Sequence, residues 1–264
     1  MNIYDGYGNT IEISDSGGSG KNVLSGKNVI ILADSVFDYE QPDGINVGQM
    51  LAVSSGATVY NWAQGGCCMA KGKATNYDPY SFVGMVDALV SGDFTDQIAN
   101  AEERGFTTQV AEMQAFDMAN CDFMLVAYGT NDFWRSCLYD NPSDNEDVTY
   151  FSGAVRYGIK TLLATYPSIK LIFLNLQNMG SIYNETAAWY NATGSHYVES
   201  SRYNGYINDI CAEFAVPVLD IWNESMINNQ TKTIYNDPGG MPHLSHKGKQ
   251  KYVTMIENTF NHYY

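Results

Sequence analysis

The stretch from residue 28 to residue 38 reads N-V-I-I-L-A-D-S-V-F-D. Its V-I-I-L-A run is the most strand-like segment of the chain, and the apolar run stops abruptly at Asp34 and Ser35. A run this short and this continuously apolar suits a strand buried on both faces rather than an amphipathic one. Four further runs of the same kind follow: T-V-Y-N-W-A at 58 to 63, D-F-M-L-V-A-Y at 122 to 128, I-K-L-I-F-L-N-L at 169 to 176 and V-P-V-L-D-I at 216 to 221.

Helix-period segments lie between these runs. They are V-G-Q-M-L-A-V-S-S (47 to 55), T-T-Q-V-A-E-M-Q-A-F-D-M-A (107 to 119), the stretches 146 to 166 and 195 to 215, and a last one at 245 to 264. Strands alternating with helices in this way predict right-handed crossovers and a mostly parallel five-stranded sheet covered by helices on both sides, a three-layer α/β/α fold. No repeat of 20 to 50 residues points to a solenoid. Residues 1–27 read as a short N-terminal appendage, with a turn cluster at Asp5, Gly6, Gly8 and Asn9 and a Gly/Ser linker, S-D-S-G-G-S-G-K. Residues 28–264 then form the main domain.

Composition narrows the function classes. The chain has 264 residues, 45% of them hydrophobic, enough for an independent core. With 29 acidic against 14 basic residues, its formal charge of −15 repels nucleic acid and anionic membrane surfaces. No apolar run is long enough to cross a bilayer, and the N-terminus lacks the basic and apolar regions of a signal peptide. The expectation is a soluble protein without membrane insertion, cytoplasmic, or extracellular or virion-associated if it is a piece of a larger one. The five cysteines, at 67, 68, 121, 137 and 211, form neither a disulfide framework nor a metal-ligand spacing, so neither a metal nor another cofactor is expected. They read as small buried thiols. Four N-x-S/T sequons, at Asn184, Asn191, Asn223 and Asn229, reflect an Asn-rich composition rather than an export route.

In open parallel sheets, functional groups collect beyond the carboxyl ends of the strands. Ser35 stands just past the first strand, where the chain turns toward a helix expected near Gly44. The second strand exits into N-W-A-Q-G-G with Gly66, the third into G-T-N-D with Asn131 and Asp132, and D-P-G-G-M-P-H-L-S-H-K-G brings His243 ahead of the last helix. A hydroxyl, a glycine N–H, a carboxamide and an imidazole are what acyl transfer asks for. A serine hydroxyl needs a base to take its proton, and an imidazole, titrating near about 6.5 when unperturbed, suits that role. The oxyanion then needs preorganised donors, which the N–H groups of Ser35 and Gly66 and the Asn131 amide can supply. Asp132 with Asp34 would make a pair of acids for glycoside chemistry, a reading that leaves Ser35, Gly66 and His243 without a task.

These four blocks, in this order, resemble the SGNH hydrolases, also called the GDSL esterase/lipase family. I-L-A-D-S looks like the family's first block, N-W-A-Q-G-G the second, G-T-N-D the third and H-L-S-H-K-G the last. The resemblance implies a flavodoxin-like fold, metal-independent ester hydrolysis and an acyl-serine intermediate, with Ser35 as nucleophile and His243 as base. Two departures stand out. Ala33 replaces the usual glycine of the first block, and Gly240 occupies the position three before the histidine where the triad carboxylate commonly lies. The nearest carboxylate is Asp237, which completes a triad if the loop folds back. Otherwise a backbone carbonyl orients the imidazole in a Ser-His dyad, or the site is impaired. His246 competes with His243 for the base, while His196 and His262 read as surface residues.

Aromatic residues in expected loops (Tyr77, Tyr80, Trp134, Tyr139, Trp189, Tyr190) and inserts at 67 to 82 and 133 to 147 suggest a cleft wall suited to sugar. The expected substrate is a small-molecule or glycan ester, with removal of an O-acetyl group from carbohydrate as the leading case. The alternative is a non-catalytic carbohydrate-binding or structural module that keeps the fold. The sequence does not indicate an oligomeric state.

Overall fold

The computed structural model describes residues 3–4, 10–11, 22–40, 43–73, 75–177, 200–228, 230–239 and 242–264. Several sequence expectations therefore lie outside the described residues: the turn at Asp5 to Asn9, the linker, Gly240, Trp189, Tyr190, His196 and the sequons at Asn184, Asn191 and Asn229.

At the N-terminus β1 (Ile3–Tyr4) pairs antiparallel with β2 (Thr10–Ile11). The main sheet holds β3 (Asn28–Ala33), β4 (Thr58–Asn61), β5 (Phe123–Ala127), β6 (Lys170–Leu174) and β7 (Val218–Leu219) in the order β4-β3-β5-β6-β7. Every pairing is parallel, and all five runs expected from the sequence are strands of it. The order places β3 and β5 beside each other at the centre. Strand order reverses at β3, so the carboxyl ends of β3 and β5 border the crevice such sheets offer to a ligand.

Val29, Ile30, Ile31, Leu32 and Ala33 have no exposed surface, as expected of a central strand covered on both faces. Alternation sends Ile30 and Leu32 into one core and Val29, Ile31 and Ala33 into the other. The first core is covered by α3 (Phe82–Ser91), α4 (Thr95–Ala101), α5 (Thr107–Ala115), α7 (Phe151–Thr165) and α8 (Ser200–Glu213). The second is covered by α2 (Val47–Ser55) and α11 (His246–Tyr263), through residues such as Val47, Leu51, Tyr252, Ile256 and Phe260. This is the expected three-layer α/β/α arrangement.

Three local expectations change. The helix after β3 does not wait for Gly44: the Asp34 side chain caps a short helix, α1 (Ser35–Asp38), directly at the strand exit, and α2 starts later under an Asn46–Gln49 capping box. The insert at 67 to 82 is not all loop, since it runs through a 3₁₀ turn at Asp78–Tyr80 into the Ser81-capped α3. Tyr80 has no exposed surface and donates its hydroxyl to the Gln97 carbonyl at 2.6 Å, so it belongs to the core and not to a cleft wall. The five cysteines are free and buried, as the composition suggested.

Lys249 locks α11 onto the segment that follows α1. Its ammonium, fully buried, donates to the carbonyls of Glu40 (3.1 Å) and Ile45 (2.7 Å) and to Asp43 Oδ1 (2.6 Å). A charge this deep is tolerated because its donors are satisfied, and leaving it without its carboxylate would cost roughly 3–5 kcal/mol. Among the described residues no helix is long and apolar enough to cross a membrane.

Candidate active site

Asp34 explains how the serine comes to stand where it does. Its N–H continues the sheet by donating to Ala127 O (3.2 Å), while its Oδ1 accepts the Val36 N–H (3.0 Å) and starts α1. The chain thus passes from strand to helix within one residue, and Ser35, first in the helix, carries its hydroxyl out at the carboxyl end of the central strands. Asp34 is 1% exposed, and burial pushes its carboxyl up to about 7 against the cost of charging it there.

Ser35 Oγ lies 2.9 Å from His243 Nε2 across 208 positions of sequence. His246, the competing imidazole, instead bonds through Nδ1 to Asp43 on the protein surface. The loop before α11 is fixed by a set of backbone and carboxamide bonds. Asn236, with no exposed surface, bridges to Leu244 and donates Nδ2 to the Pro242 carbonyl (2.8 Å). Gln177, from the end of β6, donates to the same carbonyl (3.0 Å). The last block of the sequence has a mechanical reading as well. Ser245 caps α11 and donates its hydroxyl to Ile234 O (2.7 Å). Gly248 passes so close to the Tyr235 carbonyl that a Cβ would sit 2.0 Å from its oxygen.

Asp237 lies beside this site. Its N–H donates to the His243 carbonyl (2.9 Å). Its carboxylate accepts the Gly239 N–H (3.0 Å) and, more closely, the Tyr39 hydroxyl (2.7 Å). The Tyr39 bond, then that of Gly239, holds the Asp237 carboxyl below its ordinary value, and the same bond raises the Tyr39 hydroxyl. Tyr39 in turn stacks on the His243 ring, with centroids 4.1 Å apart and planes 17° from parallel. The carboxylate found by the sequence reading is therefore joined to the imidazole through an aromatic ring that the reading missed.

On the other side of Ser35 runs the turn from Gln64 to Cys67. A Cβ on Gly65 would touch Ser35 Cβ at 3.5 Å, so this turn lies directly against the serine. Gly66 has φ +83°, and a Cβ there would meet Tyr77 at 2.3 Å, which restricts the position to glycine twice over. Asn131 Nδ2 donates one hydrogen to Cys67 O (3.0 Å), leaving the second available. Among the described residues neither the Ser35 N–H nor the Gly66 N–H donates to the protein. Asp132 is wholly buried and accepts the N–H groups of Met69 (2.6 Å) and Ala70 (3.0 Å). It anchors the continuation of the turn, and burial lifts its carboxyl to about 6. Among the described residues no group of His, Cys, Asp or Glu could hold a metal ion.

Sequence reasoning missed Tyr39, Gln177, Asn236, Arg104 and Arg135. Tyr39 follows Ser35, and Arg135 follows Asn131, by one helical turn, and Asn236 directly precedes Asp237. Arg104 and Gln177 reach the site through tertiary packing, which spacing does not record.

A hydroxyl bonded to an imidazole, next to N–H groups with no acceptor among the described residues, is an arrangement that can pass a proton and receive a developing negative charge. Comparison with known proteins agrees with that chemistry. A family model described as GDSL-like lipase/acylhydrolase matches residues 47–251, a span that contains Gly66, Asn131 and His243 and begins after Ser35. Among curated proteins none matches the chain. Solved structures similar to it include a protein from Lactobacillus plantarum (17% identity, 91% of this chain and 99% of that one, TM-score 0.66). A putative GDSL-like lipase from Bacteroides ovatus is similar at 16% identity (90% and 99%, TM-score 0.55), and a member of the lipolytic G-D-S-L family from Veillonella parvula at 13% (89% and 98%, TM-score 0.53). Identities this low speak for the fold, and the family match speaks for the chemistry: the chain belongs to the GDSL-like lipase/acylhydrolase family, a hydrolase acting on esters.

Proposed function

We propose that the protein is a serine esterase that removes short acyl groups, with O-acetyl groups on carbohydrate as the leading substrate. The observation that carries this reading is the 2.9 Å contact between Ser35 Oγ and His243 Nε2 beside the turn of Gly66.

In the proposed mechanism His243 takes the Ser35 proton as Oγ attacks the ester carbonyl carbon. The carbonyl oxygen becomes an oxyanion facing the N–H groups of Ser35 and Gly66 and the second hydrogen of Asn131 Nδ2. The imidazolium returns its proton to the leaving alcohol, water enters, and the same base activates it against the acyl-serine. Asp237 takes the place of the third triad member, steadying the imidazolium by its charge and by its bond to Tyr39. Of the aromatic residues suggested for a sugar-facing wall, Tyr77 supports the idea through its place against Gly66. The polar insert R-S-C-L-Y-D-N-P-S-D-N-E-D-V supports a short acyl group over a long alkyl chain.

Fluorophosphonate labelling read by intact mass tests this on the wild type, Ser35→Ala and His243→Ala. One adduct on the wild type and none on either variant is the expected result. A folded wild type that takes no adduct yet binds glycan would instead identify a non-catalytic binding module. Faster hydrolysis of long-chain p-nitrophenyl esters than of the acetate would remove the short-acyl assignment.

A further inference from the structure

The turn beside Ser35 is held by more charge than a surface loop requires. Its three successive carbonyls, of Gly65, Gly66 and Cys67, each receive a side-chain donor: Arg104, Arg135 (3.1 Å) and Asn131 (3.0 Å). Arg104 comes from the end of the α4 region, and its Nε is buried without a hydrogen-bond partner among the described residues. Its guanidinium lies 3.9 Å from the centre of the Tyr77 ring, the same ring that occupies the space a Gly66 side chain would need. Arg135 lies 4.7 Å from the centre of that ring. Gly65 is gripped at both ends, its N–H by Asp38 Oδ2 (3.1 Å) and its carbonyl by Arg104.

The carbonyl that Arg104 holds belongs to the peptide whose N–H is that of Gly66. A cationic donor on an amide oxygen draws electron density from the nitrogen, so the N–H at the other end becomes a stronger donor. The same bond fixes the rotation of the peptide plane, which a glycine pair would otherwise leave loose.

Resting on the esterase reading above, we propose that Arg104 is a positioning residue for the oxyanion: it orients and polarises the Gly65–Gly66 peptide so that the Gly66 N–H meets the developing charge. Arg104 touches no substrate in this scheme and acts only through that amide.

The test compares p-nitrophenyl acetate with its thiono analogue, in which sulfur replaces the carbonyl oxygen and accepts hydrogen bonds poorly. Rates are normalised to active sites titrated with the fluorophosphonate, so that misfolded protein does not count. Arg104→Gln should lower kcat on the acetate by about 10- to 100-fold, less than full loss of a donor, with KM nearly unchanged. It should also shrink the preference for the oxygen ester over the thiono ester. Arg104→Lys, which keeps the charge without the planar fork, should fall between the two. A purely structural role would lower the titrated fraction and the melting temperature and leave the oxygen-to-sulfur preference at its wild-type value, and that result overturns the proposal. Should Arg104→Gln fail to fold, the same comparison on Arg104→Lys decides: a reduced preference supports the inference and an unchanged one sinks it. A wild type that neither labels nor turns over would fail the esterase reading itself, a separate outcome.

Discussion

Ser35 and His243 stand 2.9 Å apart, yet the chain brings them there by unlike means. The serine hangs from the centre of the sheet. Val29 to Ala33 of its strand have no exposed surface, its neighbour Asp34 is bonded to β5 on one side and caps α1 on the other, and the turn of Gly65 and Gly66 lies directly against it. The histidine sits on a loop ahead of α11, held by carboxamides, a tyrosine ring and one half-buried carboxylate. One end is therefore fixed by main-chain geometry in the core, the other by side-chain bonds between distant stretches. The difference predicts that substitutions at the serine end act on the barrier or on global stability, whereas those at the histidine end act by degrees.

Beyond the serine and histidine themselves, the largest effect should come from Asn131→Ala. If the second hydrogen of Nδ2 serves the oxyanion, its loss costs about 2.7–4 kcal/mol, a fall of roughly 10²–10³ in kcat with little change in KM. Because the first hydrogen holds Cys67 O, the variant also loosens the turn. Steady-state kinetics on titrated sites separates the two, since a purely supporting amide would lower kcat by no more than about tenfold.

Asp34 offers a pH test of the same rigid end. Its carboxyl is raised from an ordinary 3.8 to about 7 by burial, so the fold favours the neutral acid. A group raised in this way contributes stability that is full below pH 4 and is lost as pH climbs through about 7. Asp34→Asn keeps the cap on Val36 and removes the ionisation. Its melting temperature relative to wild type should rise between pH 4 and pH 7 and level off above, by on the order of a few kcal/mol in stability. A difference that stays flat across that window would mean the carboxyl is charged in the folded protein throughout.

These two regions also divide what the sequence made legible. The five strands, their covering helices, Ser35, Gly66, Asn131 and His243 all declare themselves locally, because a buried strand must be apolar, a tight turn against the serine must be glycine, and H-x-S-x-x-G carries a cap and a close approach in one block. The short helix at Ser35 was hidden because one side-chain bond from Asp34 decides it. Tyr80 was misread because a tyrosine in a loop-like stretch gives no sign that its hydroxyl will find the Gln97 carbonyl in the core. Arg104, Gln177 and Asn236 were invisible for a deeper reason: each acts on a backbone carbonyl, and a carbonyl carries no residue identity for a pattern to match.

The smallest effect, and the most informative about the histidine end, separates Asp237 from Tyr39. A carboxylate that steadies the imidazolium by charge should matter more than the hydroxyl that bridges to it. Asp237→Asn keeps the size and one acceptor but removes the charge, and kcat/KM should fall by about tenfold or more. Tyr39→Phe keeps the ring stacked 4.1 Å from His243 and removes only the bond to Asp237, so its loss should stay near threefold. If the order is reversed, the Tyr39 hydroxyl and not the charge of Asp237 sets the imidazole. An Asp237→Asn variant within about threefold of wild type would remove Asp237 from the triad altogether and leave a Ser-His dyad whose histidine is held by the loop that Asn236 and Gln177 fasten.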